Sequence, residues 1–379
     1  MINLGPTSDA NRVYVTTAER AGGRLHALDI RTGATLWSID TFDRAAVASA
    51  PLLDRDGRIY LADGRAMHAF DPSGHLIWRV PIDGFPLSAQ FTRAGHLIFI
   101  TQIGKIYVLR RSDGSAVVPP LPLIPGASYN PQQGLGATMK GTRESPVSNT
   151  PAIDLRTDRF YFTFWTPGRP AAGVRAMQLV EGRSPALEVV WTNDSLAGGS
   201  GASPDISADG ARIYLTDNSG RLLALDAQTG RQIWSFLLSY EARGSVSTSP
   251  TGLIMPAGGR RSPLQAVIDR GNHAELLWRL PEVENRGIPT QIAGGLAYAA
   301  VAATSGQHEL DLLVIDTSNG HELDREHLTG GRFLTVGTTV AEDGTVFVPT
   351  INGHLFAFRR RSAVLANGRV GMPPAFAQP

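Results

Sequence analysis

The sequence contains no cysteine and, among its 35 basic residues, only two lysines, Lys105 and Lys140. The first absence excludes disulfides, a thiolate nucleophile and any cysteine-ligated metal. It suits an exported chain and a cytosolic one equally. The second reads as the codon preference of a GC-rich genome, not as a binding surface. Long apolar runs are also missing. The longest, GLAYAAVAA from Gly295 to Ala303, falls far short of the roughly 18 residues a spanning helix needs, so no transmembrane segment is expected. A formal net charge of +1 gives no global electrostatic case for nucleic acid or an anionic membrane. The first residues, MINLGPTSDANRVYV, show neither the charged nor the apolar region of a signal peptide. The expected compartment is therefore cytoplasmic, or periplasmic or extracellular if a leader has been removed.

Helical periodicity is absent almost everywhere. Apolar residues alternate, or run in short blocks bounded by Gly, Pro, Asn or Asp, as strands do. With 41 Gly and 25 Pro among 379 residues, the chain is rich in turns, and the turns repeat. RLHALDIRTGATLW (Arg24 to Trp37), AMHAFDPSGHLIW (Ala66 to Trp78) and RLLALDAQTGRQIW (Arg221 to Trp234) share one frame, with a weaker LLVIDTSNGHEL at Leu312 to Leu323. In each, an apolar strand ends in Asp, a turn closes on Gly, and a second strand follows. Upstream lies another hairpin signal, as in APLLDRDGRIYLA (Ala50 to Ala62), SPDISADGARIYLT (Ser203 to Thr216) and TVAEDGTVFVPT (Thr339 to Thr350). Asp-Gly between β-branched or aromatic runs is a strong short-range hairpin signal. The Trp-to-Trp spacing is that of four short strands, and fixed periods of this size mark a repeat architecture.

The A-x-D-x-x-T-G-x-x-x-W frame, clearest at Ala224 to Trp234, resembles the pyrroloquinoline-quinone-like, tryptophan-docking β-propellers. That family takes in the quinone-binding alcohol dehydrogenases and the outer-membrane protein-assembly lipoprotein, and the resemblance runs through nearly the whole chain. It implies an all-β, WD40-like ring: an eight-bladed β-propeller of four-stranded antiparallel blades, each Trp packed between neighbours. Inner strands are expected to open near Pro6, Pro51, Ala89, Pro151, Pro204, Pro250, Ala293 and Val340. One propeller domain over residues 1–361 is expected, with a tail over 362–379. No Trp strand follows HLFAFRRR (His354 to Arg361), so either the last blade is short or its outer strand comes from the opposite terminus.

In a propeller, the connections between blades gather at one mouth of the central channel, and loops on a rigid scaffold are where function concentrates. Five such connections place an arginine before the inner strand: Arg44, Arg143, Arg243, Arg286 and Arg332. Glu241 and Glu284 lie close to two of them, as do Asp43 and Glu144 to others. Two readings stand. The pairs brace the rim, or the guanidinium groups form a ring that binds a small anionic ligand or an acidic protein segment. The long connection 119–149, with Tyr129, Lys140 and Glu144, exceeds the length of an ordinary structureless loop and would serve as a lid or an arm.

Other motifs carry less. GLGATMKGT (Gly134 to Thr142) lacks the Gly-Lys-Ser/Thr order of a phosphate loop. The run from Asp54 to Gly57 is turn chemistry. His26 and His68 occupy one repeat position, which argues for structure, and no metal-ligand spacing occurs. Three functions follow. The first is a non-catalytic, monomeric binding or scaffold propeller of a bacterial envelope, working at the channel mouth without a cofactor. The second is a cofactor-free lyase, hydrolase or cyclase under the long loop, with Tyr129, Lys140 and Glu144 as acid, base or electrostatic stabiliser. The third, a quinone-dependent dehydrogenase, is disfavoured. The resemblance implies a vicinal disulfide that a cysteine-free chain cannot form, and no calcium set can be assigned.

Overall fold

A short strand ending in Asp, a turn and Gly can satisfy its backbone by folding back on itself, and the computed structural model shows that hairpin at Asp29–Gly33, Asp71–Gly74, Asp226–Gly230 and Asp316–Gly320, where the glycine N–H donates to the Asp carbonyl. It describes residues 4–18, 22–131, 141–147, 149–242, 244–259, 261–304 and 308–359. These build eight antiparallel meanders, seven of four strands and a last one of three, arranged as the expected eight-bladed propeller.

Blade 5 is representative, with strands Asp205–Ile206, Arg212–Thr216, Arg221–Asp226 and Gln232–Leu237. Its second and third strands are largely buried, and its outer strand is mostly exposed. The D-x-x-T-G frame has a local cause. Asp226 Oδ1 accepts from the Gln228 and Thr229 amides and from the Thr229 hydroxyl at 3.0, 2.8 and 2.8 Å. Gly230 then takes the left-handed conformation, φ 70°, which glycine adopts without penalty. Asp29 repeats the arrangement with Arg31 and Thr32.

At five blade interfaces an outer-strand tryptophan bonds the following blade. The indole N–H groups of Trp37, Trp78, Trp191 and Trp278 donate to the carbonyls of Pro72, Arg111, Ala227 and Thr317, each in the turn of the following blade. Trp234 donates instead to Asp269 Oδ1, while Tyr214 and Arg212 reach Oδ2 of the same buried carboxylate. The rings of Trp37, Trp78, Trp191 and Trp278 lie against the turn glycines Gly74, Gly114, Gly230 and Gly320. A Cβ at Gly230 would stand 2.4 Å from the Trp191 ring, and one at Gly320 would stand 2.7 Å from Trp278. Glycine is needed there for space as well as for φ.

First strands of neighbouring blades lie side by side around the axis, stitched by hydroxyls. Ser203 N–H donates to Ser245 Oγ (2.9 Å), and Thr290 Oγ1 donates to the Thr338 carbonyl (3.1 Å). The ring closes between blades 8 and 1 without a fourth strand among the described residues. Thr339 Oγ1 donates to the Pro6 carbonyl at 2.8 Å, and Arg359 Nη2 to the Ile30 carbonyl at 3.1 Å. Val13, Ile30, Ala341 and Phe347 pack together across the same seam.

Three boundaries differ from the sequence expectation. The inner strand of blade 6 is Val246–Thr248, before Pro250, and that of blade 7 is Thr290–Ile292, before Ala293. Pro250 instead occupies the turn that Gly252 closes onto Ser249, and Gly294 and Gly295, both at positive φ, make the corresponding turn of blade 7. The third boundary is the start of the long connection. Pro119 to Pro122 still belong to the outer strand of blade 3, Ala116–Pro122. That strand has a free edge, where prolines cost no ladder bond. Residues 362–379 lie outside the described residues.

Candidate functional site

The long connection folds back over blades 2 and 3. Tyr129 N–H donates to Asp83 Oδ1 at 2.9 Å, and its ring meets Phe85 edge-on. The ring covers Gly64, where any side chain would collide with it. Beneath lie two carboxylates that are distant in sequence. Asp43 caps the short 3-10 helix Arg44–Ala48 through Ala45 N–H (2.8 Å), and it also accepts from Gly64 N–H (3.2 Å). Asp63 accepts from the Arg65 and Ala66 amides at 2.8 Å each and from Asp43 N–H at 3.3 Å. Burial, and then the charge of Asp63, push the Asp43 carboxyl above the usual carboxylate range. Burial and the same two aspartates push the Tyr129 phenol up to about 12. Neighbouring His68 is buried between Phe42 and Phe70 and bonds the Leu61 carbonyl. Burial holds it below the ordinary histidine range.

The other end of the long connection is anchored by Trp165. The Trp165 backbone N–H donates to the Pro146 carbonyl, and the indole N–H donates to the Arg169 carbonyl. The Arg143 guanidinium lies 5.4 Å above the ring, a cation–π contact. Lys140 and Arg243 fall outside the described residues.

The remaining arginines are placed one by one. Arg44 and Arg332 are exposed, and the Arg332 backbone N–H is held by Asn352. Arg286 is paired with Glu284 at 3.0 Å, and Glu284 also accepts from Arg261 N–H. Glu241 and Glu144 are exposed. The arginines do not share one register. Arg44, Arg143 and Arg332 precede their inner strands by seven to nine residues, whereas Arg286 stands four before Thr290. Among these residues, Glu284–Arg286 is the expected pair that the structure joins. Beside Arg332, Phe333 adopts φ 74°, a conformation rarely held by a bulky residue. It and Leu334 are exposed.

A second polar group was not apparent from sequence. On blade 7, Thr304, Glu309, Asp311, Arg325 and His327 line a shallow opening of about 490 Å³. Asp311 faces His327 across the ladder. The ring nitrogens of His327 lie 2.9 Å from Asp311 and 3.8 Å from Glu309. Arg325 is clamped by Glu322 and Asp311, which raise its already high pKa further. The visible signal is the polar run from Glu322 to His327 in an outer strand, where five blades carry a Trp.

Comparison with known proteins agrees with the geometry. The family described as outer membrane protein assembly factor BamB matches residues 2–118 and 178–369. Protein Rv3035 of Mycobacterium tuberculosis is 31% identical over 313 residues, which is 82% of this chain and 75% of that protein. The crystal structure of BamB from Moraxella catarrhalis superposes with a TM-score of 0.63 at 19% identity, covering 93% of this chain and 95% of the other. Quinohemoprotein alcohol dehydrogenase from Comamonas testosteroni gives 0.61 at 16% identity, covering 92% and 70%, a likeness of fold alone. This chain belongs to the BamB family of eight-bladed, quinone-type propellers.

Proposed function

We propose that this chain is a non-catalytic binding propeller of a bacterial envelope, working in the periplasm, that holds an acidic protein segment on the face carrying the inter-blade connections. One observation carries the reading. At the most chemically suggestive point of that face, Asp43 and Asp63 are committed to backbone donors, while Arg44, Arg143 and Arg332 are exposed. Carboxylates committed as turn braces are poorly placed to move substrate protons. Exposed guanidinium groups suit recognition of carboxylates. The relatives named for outer membrane protein assembly support an envelope location and a protein partner.

The test is fluorescence anisotropy with a labelled acidic peptide, beside the triple variant Arg44→Glu/Arg143→Glu/Arg332→Glu. Saturable binding is expected, weakening as salt screens the charges and abolished in the triple variant. Absent binding at low salt, or equal binding by the triple variant, removes the acidic-segment reading. Inhibition of peptide binding by free phosphate or small carboxylates at low concentration would reassign the face to a small anion.

A further inference from the structure

Between blades 3 and 4, where Leu123 and Ile124 of the long connection join the apolar cluster, one guanidinium is taken partly out of water without a counter-charge. Arg175 belongs to the third strand of blade 4, Ala172–Val180, and stands opposite Phe162 and Thr192 in the ladder. Side chains alternate along a strand, so Arg175 shares a face with Met177 and Leu179, which pack with Phe164 against Ile98, Ile100 and Ile106 of blade 3. The guanidinium carbon stands 4.7 Å from the centre of the Phe164 ring, a cation–π contact. Nη2 donates to Thr166 Oγ1 at 2.8 Å, while Nε is buried with no hydrogen-bond partner.

The charge of this group is poorly compensated. No ion pair joins it to a carboxylate among the described residues. Burial holds Arg175 below the ordinary arginine pKa, with the charge of Asp194 opposing, and Asp194 already faces Arg169 Nε at 3.6 Å. Hydrogen bonds to Asp154 and Glu322, by contrast, hold Arg156 and Arg325 above the ordinary value. Arg159, Arg212 and Arg286 also leave Nε unbonded. Each of those places another nitrogen on the Ala227 carbonyl, on Asp269 or on Glu284, whereas Arg175 reaches a hydroxyl. Residues 132–140 and 148 of the long connection, which lie outside the described residues, contain no Asp or Glu and so bring no counter-charge.

An unpaired charge removed from water is costly, and an anion beside it offsets that cost. Thr166 completes a donor set. A tight turn holds it, with Arg169 N–H donating to its carbonyl at 3.1 Å and Gly168 at φ 78°. Its oxygen accepts from Arg175, and its own proton has no acceptor among the described residues. We propose that Arg175 and Thr166 form a binding site for a small oxyanion, a carboxylate or phosphoryl group held by guanidinium N–H groups and the threonine hydroxyl. Phe164 covers one face of the guanidinium, which leaves the in-plane approach by which arginine takes such groups bidentately. Arg175 is half-buried, so the site is reachable from solvent. It does not rest on the acidic-segment reading, because Arg175 is none of the three arginines tested there.

The test titrates the full chain with inorganic phosphate and, separately, with acetate at constant ionic strength, read by isothermal calorimetry and by urea midpoint. Saturable binding of at least one anion is expected, weakened at least ~10-fold in Arg175→Gln and kept in Arg44→Glu/Arg143→Glu/Arg332→Glu. Phosphate alone would identify a phosphoryl group, and acetate alone a carboxylate. Arg175→Met separates binding from folding, since it keeps an apolar side chain over Phe164 and buries no charge. Its urea midpoint is expected to exceed the native one without anion and to lose that lead at saturating anion, which stabilises the native chain alone. Three results overturn the proposal: no saturation by either anion up to ~50 mM, equal binding by Arg175→Gln, or a midpoint gap for Arg175→Met that saturating anion leaves unchanged.

Discussion

Replacing Gly230 by alanine adds one methyl group whose position is known, 2.4 Å from the Trp191 ring, on a backbone held at φ 70°. Two penalties combine. A left-handed alanine costs roughly 1–2 kcal/mol, and forcing a methyl into a packed interface adds about 1–3 kcal/mol. Gly33→Ala separates them. Its φ is 71°, yet no described atom lies within 4 Å of the new Cβ, so the backbone term alone remains. Trp191 is 9% exposed and bonds the Ala227 carbonyl at 3.0 Å. Its replacement by alanine is expected to cost about 3–5 kcal/mol. In the Trp191→Ala background the clash is gone, so Gly230→Ala then costs no more than Gly33→Ala does in the native chain. Urea titrations of the four variants measure this, read as shifts in midpoint at constant slope. Equal costs for Gly230→Ala and Gly33→Ala, or strict additivity of the Trp191 and Gly230 changes, would refute the account of how the blades are joined.

Two further predictions concern the mouth. The Asp43 carboxyl is raised in the folded state by burial and by Asp63, so the native chain holds this proton more tightly than the unfolded one. Ionisation then costs stability, and the loss grows as pH climbs from the ordinary carboxylate range through the raised value. Asp43→Asn keeps an oxygen for the Ala45 amide and removes the charge. It is expected to equal the native chain near pH 4 and exceed it at neutral pH, by urea midpoint; a gap that stays flat or reverses would contradict the assignment. Tyr129 acts through its ring over Gly64 and its backbone bond to Asp83. Tyr129→Phe should therefore change stability by less than ~0.5 kcal/mol, while Tyr129→Ala should speed proteolysis within 123–131, and equal cleavage of the two variants would count against the packing role.

The blades were legible because each is specified locally. Asp226, Thr229 and Gly230 make their turn from atoms within four residues of one another, and the Trp191 and Trp278 positions repeat with the period of the strands. The inner strands of blades 6 and 7 were misplaced where local signals point two ways. Pro250 begins a turn instead of introducing a strand, and Gly294 and Gly295 stand where Asp-Gly is found elsewhere. The mouth was less readable because its contacts are distant. Asp43 and Asp63 lie on different blades and meet only when blade 2 docks on blade 1. A partial signal existed, since Asp63 and Asp217 occupy one repeat position and both accept amides from the turn that follows. Nothing in the sequence near Tyr129 indicates that its ring covers Gly64, because that depends on how the whole connection folds back.

The seam between blades 8 and 1 also governs the order in which the molecule assembles. Every other interface joins blades adjacent along the chain, but Thr339 to Pro6 and Arg359 to Ile30 span 333 and 329 residues. Each doubling of a closed loop adds about 0.6 kcal/mol of entropy cost, so moving from one blade to the whole ring adds about 2 kcal/mol. Among the described residues, the contacts that offset it are two side-chain-to-backbone bonds and a small apolar cluster. Blades 1 to 7 can stack progressively on local contacts, and the ring shuts last. On unfolding, the same seam parts first, turning a closed ring into an open arc before any blade is lost.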